Sequence, residues 1–330
     1  MKIHILSDPG YKSGPDIRTQ YFPYDVYKFI RHLGDRYDMV HYGLEGSTVD
    51  CKHYDLPKDL RSWNAEASRL IEKEKQPGDI ILCYGGNTNQ PATILHTDCF
   101  VVEAHIGYNP KMAFAPYKVF KSYAMLHFYY GLQGDILNIS WYDRVIPNGH
   151  TPSEFKFLQD KKDYALYIGR VVESKGVRVA IEATEKAGKK LVIAGEPRGL
   201  KHLGYNKTPR HVEMLGKVGV EQRKKLLSEA ECLIAPTTYI EPFGNMVVEA
   251  HMCGTPTITT DWGAFAETNI EGLTGFRPRT FKEFLWAFEH IGALDKAAIR
   301  KRALETYSDD VVYPQYVPYF EQIIKNSWYE

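Results

Sequence analysis

Glu241 and Glu249 stand eight positions apart in the run Thr238-Tyr239-Ile240-Glu241-Pro242-Phe243-Gly244-Asn245-Met246-Val247-Val248-Glu249-Ala250. Pro242 and Gly244 mark a loop that runs into a helix N-terminus. Glu249 then falls about two turns into that helix, on roughly the side where it starts. Backbone N–H groups at a helix N-terminus can hold a diphosphate. A carboxylate on either side of them can hold sugar hydroxyls, so the segment reads as a grip for a nucleotide-sugar. Glu249 lies between Val248 and Ala250-His251-Met252, where an unpaired carboxylate is costly and a ligand role accounts for it.

A second group precedes it. Tyr164-Ala165-Leu166-Tyr167-Ile168-Gly169-Arg170 reads as a strand and its end, and Glu173-Ser174-Lys175-Gly176 leads into a helix. Arg170 and Lys175 can converge on an anion there, and the glycines let it approach the backbone. A solvated turn is the plain alternative for this group alone; the downstream glutamates favour the anion.

The elements that must position these residues alternate along the chain. Strands are expected at 2–6, 39–42, 79–84, 100–103, 144–146, 164–168, 190–194, 212–215, 232–235 and 257–259. Helices are expected at 23–33, 59–75, 116–130, 177–187, 221–230, 245–252 and 281–291. Alternation of this kind implies parallel sheets covered on both faces. A boundary is expected at Ile146-Pro147-Asn148-Gly149-His150-Thr151-Pro152, where two prolines flank an Asn-Gly turn. The expected α/β architecture is two Rossmann-like, doubly wound halves facing a cleft, 1–148 and 149–312. In such folds ligands collect at the carboxyl ends of the strands.

Gly169-Arg170-x4-Lys175-Gly176, Ile193-Ala194-Gly195-Glu196, the Glu-x7-Glu pair and Gly254-Thr255-Pro256 occur in the order found in glycosyltransferase family 4. The chain resembles that family (retaining enzymes of the GT-B fold, glycosyl transferases group 1) over about residues 140–330. Val145-Ile146-Pro147-Asn148-Gly149 looks like its interdomain segment, and 313–330 like its C-terminal helix crossing back to the first domain. The resemblance implies that Arg170 and Lys175 bind the donor diphosphate and stabilise it as a leaving group. It places Glu241 by the donor sugar, Glu249 on the ribose, and Phe243, Gly244, Asn245 and Met246 against sugar and phosphate, with Gly195 also on the donor side. Preorganised cations and a helix dipole stabilise the charge that builds on a departing diphosphate. No Asp-x-Asp occurs in the chain, so neither a metal nor another cofactor is expected.

In the N-terminal half, Ser7–Asp16 follows the first strand, where the family keeps a glycine-rich loop; Gly14 is the match, although the tight double glycine is absent. Gly85-Gly86-Asn87-Thr88-Asn89 reads either as a cleft loop or as plain turn residues. His105 matches a family histidine that contacts the donor sugar, with Glu103 as the alternative. Two apart in an extended segment, they are expected to point the same way, and either could orient the acceptor hydroxyl.

Composition narrows the partners. Lys+Arg and Asp+Glu are both 41, so a nucleic-acid or membrane partner would need a local patch. Arg198, Lys201, His202, Lys207, Arg210 and His211 form a basic loop without acidic residues, and Lys111–Tyr130 mixes lysines with aromatics. The first raises modified DNA as an acceptor, the second a peripheral membrane contact; a solvated loop and a core-packed helix are the plain readings. Cys51, Cys83, Cys99, Cys232 and Cys253 form no Cys-x-x-Cys pair, so neither disulfides nor zinc is indicated. No run of about 18 apolar residues occurs, and no signal peptide is seen, so a cytoplasmic protein is expected. The expected function is metal-independent, retaining transfer of a sugar from a UDP- or GDP-sugar to a glycan or lipid-linked acceptor. An epimerase or hydrolase of the same fold, or a non-catalytic nucleotide-sugar binding module, would use the same donor residues.

Overall fold

Short apolar runs become central strands because parallel sheets bury both faces. The computed structural model describes residues 1–16, 21–107, 110–195 and 200–325, and the chain divides into two units, Met1–Gly149 with Asp309–Glu330, and His150–Ser308.

The first unit begins with β1 (Lys2–Leu6), α1 (Tyr21–Leu33), β2 (Asp38–Leu44), β3 (Lys52–Leu56) and α2 (Leu60–Glu74). It continues through β4 (Ile80–Cys83), α3 (Gln90–Thr93), β5 (Phe100–Ile106), β6 (Tyr117–Phe120), α4 (Tyr123–Gln133) and β7 (Arg144–Val145). Its sheet is parallel throughout, in the order β3-β2-β1-β4-β5-β6-β7.

The second unit carries β8 (Lys162–Ile168), α5 (Val177–Lys186), β9 (Leu191–Ala194), β10 (Val212–Gly216), α6 (Val220–Glu229) and β11 (Ala230–Ala235). Then come α7 (Asn245–Met252), β12 (Thr257–Thr259), α8 (Phe265–Thr268), β13 (Gly275–Phe276), α9 (Phe281–His290) and α10 (Lys296–Tyr307). Its parallel order is β10-β9-β8-β11-β12-β13. The chain returns to the first unit through α11 (Asp309–Val312) and α12 (Tyr316–Lys325).

Both sheets are therefore doubly wound, with the order reversing between β1 and β4 and between β8 and β11. Side-chain alternation sends Ile3, Ile5 and Val102 toward Phe29 of α1 and Tyr316 and Phe320 of α12. Leu6, Val40 and Tyr42 go to the opposite face, against Trp63 and Ile71 of α2. In the second unit Tyr167 and Ile193 pack with Ile181 and Phe288, whereas Leu166 and Leu233 meet Val247, Val248 and Tyr307. Helix starts follow capping chemistry: Asp59 accepts from the Ser62 N–H before α2, and Thr280 with Glu283 forms a capping box on α9.

Three expectations change. Residues 117–120 do not begin a helix: Tyr117-Lys118-Val119-Phe120 pairs with both β5 and β7, and α4 starts only after its Ser122 cap. The β-branched and aromatic residues fit a pleated surface there. Lys52–Leu56 is an additional strand, hidden from sequence reading by its polar residues. Lys296–Tyr307 is an additional helix that carries little apolar periodicity because only Ile299, Ala303 and Tyr307 are buried along it.

The switch point of the second sheet depends on backbone proximity. A Cβ on Gly176 would lie 1.8 Å from the Pro236 carbonyl oxygen, and Gly176 has φ +72°. A Cβ on Gly195 would lie 1.9 Å from the Gly169 oxygen. Gly176→Ala is therefore expected to lower the unfolding free energy of this unit by about 2 kcal/mol or more, through both strain and overlap. Urea unfolding, set against Gly188→Ala, where the backbone is also left-handed but nothing lies within 4 Å, separates the overlap from the strain.

Candidate functional site

In the second unit the loops after β8 and β11 meet at the switch point, where doubly wound sheets bind ligands. The Thr238 N–H donates to the Ser174 carbonyl at 2.9 Å, fastening one loop to the other. Lys175 ends a 3₁₀ turn, Glu173–Lys175, and is only 6% exposed. Its Nζ lies 2.9 Å from Glu241 Oε2, which also accepts from the Tyr239 hydroxyl, and Lys175 donates to that same hydroxyl. The ammonium sits over the Tyr239 ring, 4.6 Å from its centroid. Glu241 is 3% exposed, so two charges are buried together and balance each other.

Arg170 is exposed, and its guanidinium makes no ion pair with any described residue. Its carbonyl accepts from the Tyr167 hydroxyl at 2.9 Å, which holds the turn while leaving the side chain in solvent. Gly244 has φ +80° and stands before α7; a Cβ there would lie 2.5 Å from Phe265 Cε1. Asn245 and Met246 form the first turn of that helix, and Phe243 stacks on His150 at 6.3 Å and meets Tyr307 edge-on. Glu249 is buried little more than one turn along the helix, not the two turns expected, with Arg223 of α6 donating to Oε1 at 3.0 Å. Gly195 follows β9, its N–H bonded to the Gly216 carbonyl at 2.8 Å. Glu196 and Arg198 lie outside the described residues. Lys201, His202, Lys207 and Arg210 are exposed, and His211 bonds the Ile181 carbonyl at 3.1 Å.

In the first unit His105 ends β5 with its ring 7% exposed. Its Nδ1 lies 3.5 Å from Asp25 Oδ2 on α1, and its ring packs on Phe22 at 4.2 Å. Burial and then the neighbouring Lys121 ammonium push the imidazole down to about 4, so it is neutral at pH 7. Asp25 also accepts from the Tyr313 hydroxyl and faces Lys121 at 3.9 Å. Burial alone would raise this carboxyl, but Lys121, His105 and Lys28 together hold it below the usual range. Contrary to the expectation for residues two apart, Glu103 and His105 have different surroundings. Glu103 accepts from the Phe114 and Ala115 N–H groups at 2.9 and 3.4 Å, and a register shift between Glu103 and Ile106 breaks the alternation. Burial raises the Glu103 carboxyl above its ordinary value. Lys121 is buried, so Lys111–Tyr130 is not a single basic face. Gly14 has ordinary backbone angles, and a Cβ would touch Thr48 at 3.4 Å. Among the described residues no helix is long and apolar enough to cross a membrane.

Residues 151–280 match the family model described as glycosyl transferases group 1. An uncharacterized glycosyltransferase of Methanocaldococcus jannaschii is 31% identical over 173 residues, 45% of this chain and 44% of that protein. Glycogen synthase of Mycobacterium tuberculosis is 33% identical over 119 residues, 33% of this chain and 28% of that protein. The chain thus spans less than half the length of these curated relatives. Two solved structures align nearly throughout: AviGT4, a glycosyltransferase involved in avilamycin A biosynthesis (TM-score 0.76, 18% identity, 99% of this chain and 98% of that one), and Anabaena HepE in complex with UDP and glucose (0.73, 15%, 98% and 100%). At these identities the likeness establishes the fold, GT-B.

Sequence reasoning missed Tyr239, Tyr167 and Arg223 in the group 1 segment. Tyr239 is two residues from Glu241, a spacing that puts both on one side of an extended stretch and could have revealed it. Arg223 carries no local signal, because its partner comes from another element, and Tyr167 reads as an apolar core position of its strand although its hydroxyl reaches the following loop.

Removing Glu241 leaves Lys175 buried without its counter-charge. Glu241→Ala is expected to lower stability by roughly 3 kcal/mol and Glu241→Gln by clearly less, read by urea unfolding. A second expectation concerns acid. Burial depresses His4 and His105 to about 4, and His41 and His251 to about 3, from near 6.5 unfolded. The unfolded chain then binds more protons below pH 6.5, so stability falls as pH drops toward 4, by up to about 1.4 kcal/mol per pH unit for each histidine. Melting temperature should fall between pH 6.5 and 5, and His251→Gln should flatten that fall.

Proposed function

We propose that the chain is a retaining glycosyltransferase that moves a sugar from a nucleoside-diphosphate donor to an acceptor hydroxyl, using side-chain cations in place of a metal ion. The observation that carries this reading is the buried Lys175–Tyr239–Glu241 cluster, set at the β8/β11 switch point beside the start of α7. Lys175 and the solvent-facing Arg170 take the diphosphate, aided by the positive end of the α7 dipole. Glu241 takes hydroxyls of the transferred sugar, with Phe243, Gly244, Asn245 and Met246 lining the approach and Gly195 opening the backbone opposite. Glu249 takes the ribose; a carboxylate accepts about four hydrogen bonds, so ribose hydroxyls join Arg223 on it. His105, neutral and fixed by Asp25, offers an imidazole to the sugar or the acceptor, and Gly14 belongs to the loop on that side.

In the reaction the acceptor oxygen bonds to the anomeric carbon on the face the diphosphate leaves. The glycosyl–phosphate bond breaks, and the acceptor proton passes to the departing phosphate oxygen. Charge develops on the diphosphate, where the buried Lys175, the helix start and Arg170 from the solvent side meet it. The UDP and glucose named for HepE favour a UDP-sugar donor. A glycan or lipid-linked sugar is the acceptor class this reading favours. The free thiols of all five cysteines suit a reducing compartment.

Arg170→Ala and Glu241→Gln are expected to lower transfer by about a hundredfold or more, with far-ultraviolet dichroism unchanged. Nucleotide release from UDP-sugars, with and without acceptor, measures this. Wild-type rates in either variant would overturn the assignment, and rapid turnover of donor alone would replace it with a hydrolase or epimerase.

A further inference from the structure

A chain of side-chain hydrogen bonds runs across β3 and β2 to the C-terminal end of β1. Asp55 Oδ1 lies 2.9 Å from His53 Nε2, and His53 Nδ1 lies 2.8 Å from His41 Nδ1. His41 Nε2 lies 2.6 Å from Ser7 Oγ, which lies 3.0 Å from Ser13 Oγ. The chain starts at an exposed carboxylate, with the Asp55 side chain 59% exposed, and ends at hydroxyls that are 1% exposed. Room is reserved for it: a Cβ on Gly43 would lie 2.5 Å from His41 Cε1.

With Asp55 ionised and both imidazoles neutral, one proton arrangement satisfies every member. The carboxylate can only accept, so His53 donates from Nε2 and must accept at Nδ1. His41 then donates from Nδ1 and accepts at Nε2 from the Ser7 hydroxyl, which in turn accepts from Ser13. The surface charge thereby dictates the tautomer of both rings and the direction of both hydroxyls. Burial, followed by the neighbouring His53, depresses His41 to about 3, which keeps this ring neutral.

The inner end of the chain is the meeting point of the first sheet's switch-point loops. The Ser7 carbonyl accepts from Asn89 of the loop after β4 at 3.1 Å. Ser13 belongs to the loop after β1; its N–H donates to Ser47 Oγ, and its carbonyl accepts from the Thr48 N–H at 2.8 Å. We propose that Asp55, His53, His41 and Ser7 are positioning residues that set Ser13 and the Asp8–Asp16 loop at the ligand-binding edge of the first unit. The catalytic consequence rests on the transferase reading above; the relay itself does not.

The test uses the full chain labelled with ¹⁵N. Long-range imidazole spectra at pH 7.5 should show His41 protonated at Nδ1 and His53 at Nε2. In Asp55→Asn the unique arrangement is lost, because an amide can donate as well as accept. Mixed tautomers should follow, with about tenfold faster amide exchange at Ser13 and Thr48 and an unchanged melting temperature. His41→Gln, which keeps an acceptor for Ser7, should protect those amides better than His41→Ala. If transfer is detected, Asp55→Asn should lower kcat/KM about tenfold. The opposite tautomer at His41, or unchanged loop exchange in Asp55→Asn, overturns the relay. Correct tautomers in a protein with no transfer on any nucleotide-sugar would instead sink the transferase reading alone.

Discussion

Lys175 and Glu241 are two buried charges that offset each other. An isolated ammonium or carboxylate in that position would be strongly unfavourable, so the two loops that carry them must come together. This one pair joins the ends of β8 and β11, the strands between which the sheet reverses its order. Tyr239 completes it by accepting from the lysine and donating to the glutamate. The start of α7, four residues past Glu241, is positioned by the same constraint. Close backbone approaches at Gly176 and Gly195 let the loops reach each other at all.

The first unit solves a similar problem differently. Asp25 gathers His105, Lys121 and Tyr313 around one carboxylate, tying α1, the ends of β5 and β6 and the returning C-terminal segment together. Lys28 adds a second junction, donating to the Gly149 carbonyl at 2.5 Å and to Asp309 at 3.2 Å. Buried polar groups of this kind are stable only when each donor and acceptor is met. Each unit thus organises the carboxyl edge of its sheet around paired or relayed charge, and both edges lie at switch points.

The doubly wound pattern was legible because period and breaker signals are local. Strands such as Lys2–Leu6 and Thr257–Thr259 and the helix Asn245–Met252 stand at the positions their apolar spacing implies. The same local reading failed where pairing overrides it. Tyr117–Phe120 falls within the helix expected at 116–130, yet two neighbouring strands claim its backbone. Lys52–Leu56 looks too polar for a strand until His53 and Asp55 are seen to bond along its face.

By itself the sequence determined that glycines, cations and carboxylates would stand at strand ends and at a helix start, since those placements depend on spacing along one element. It did not determine which charges meet. Lys175 with Glu241, Glu249 with Arg223, and His41 with His53 are pairings between elements, and register decides them. The clearest case is His105 and Glu103: alternation would have aligned them, yet they meet different partners, with a shift in the β5–β6 ladder between Glu103 and Ile106. Side-chain direction follows from the local chain, but the partner at the end of it comes from how strands align, and that alignment belongs to the folded whole.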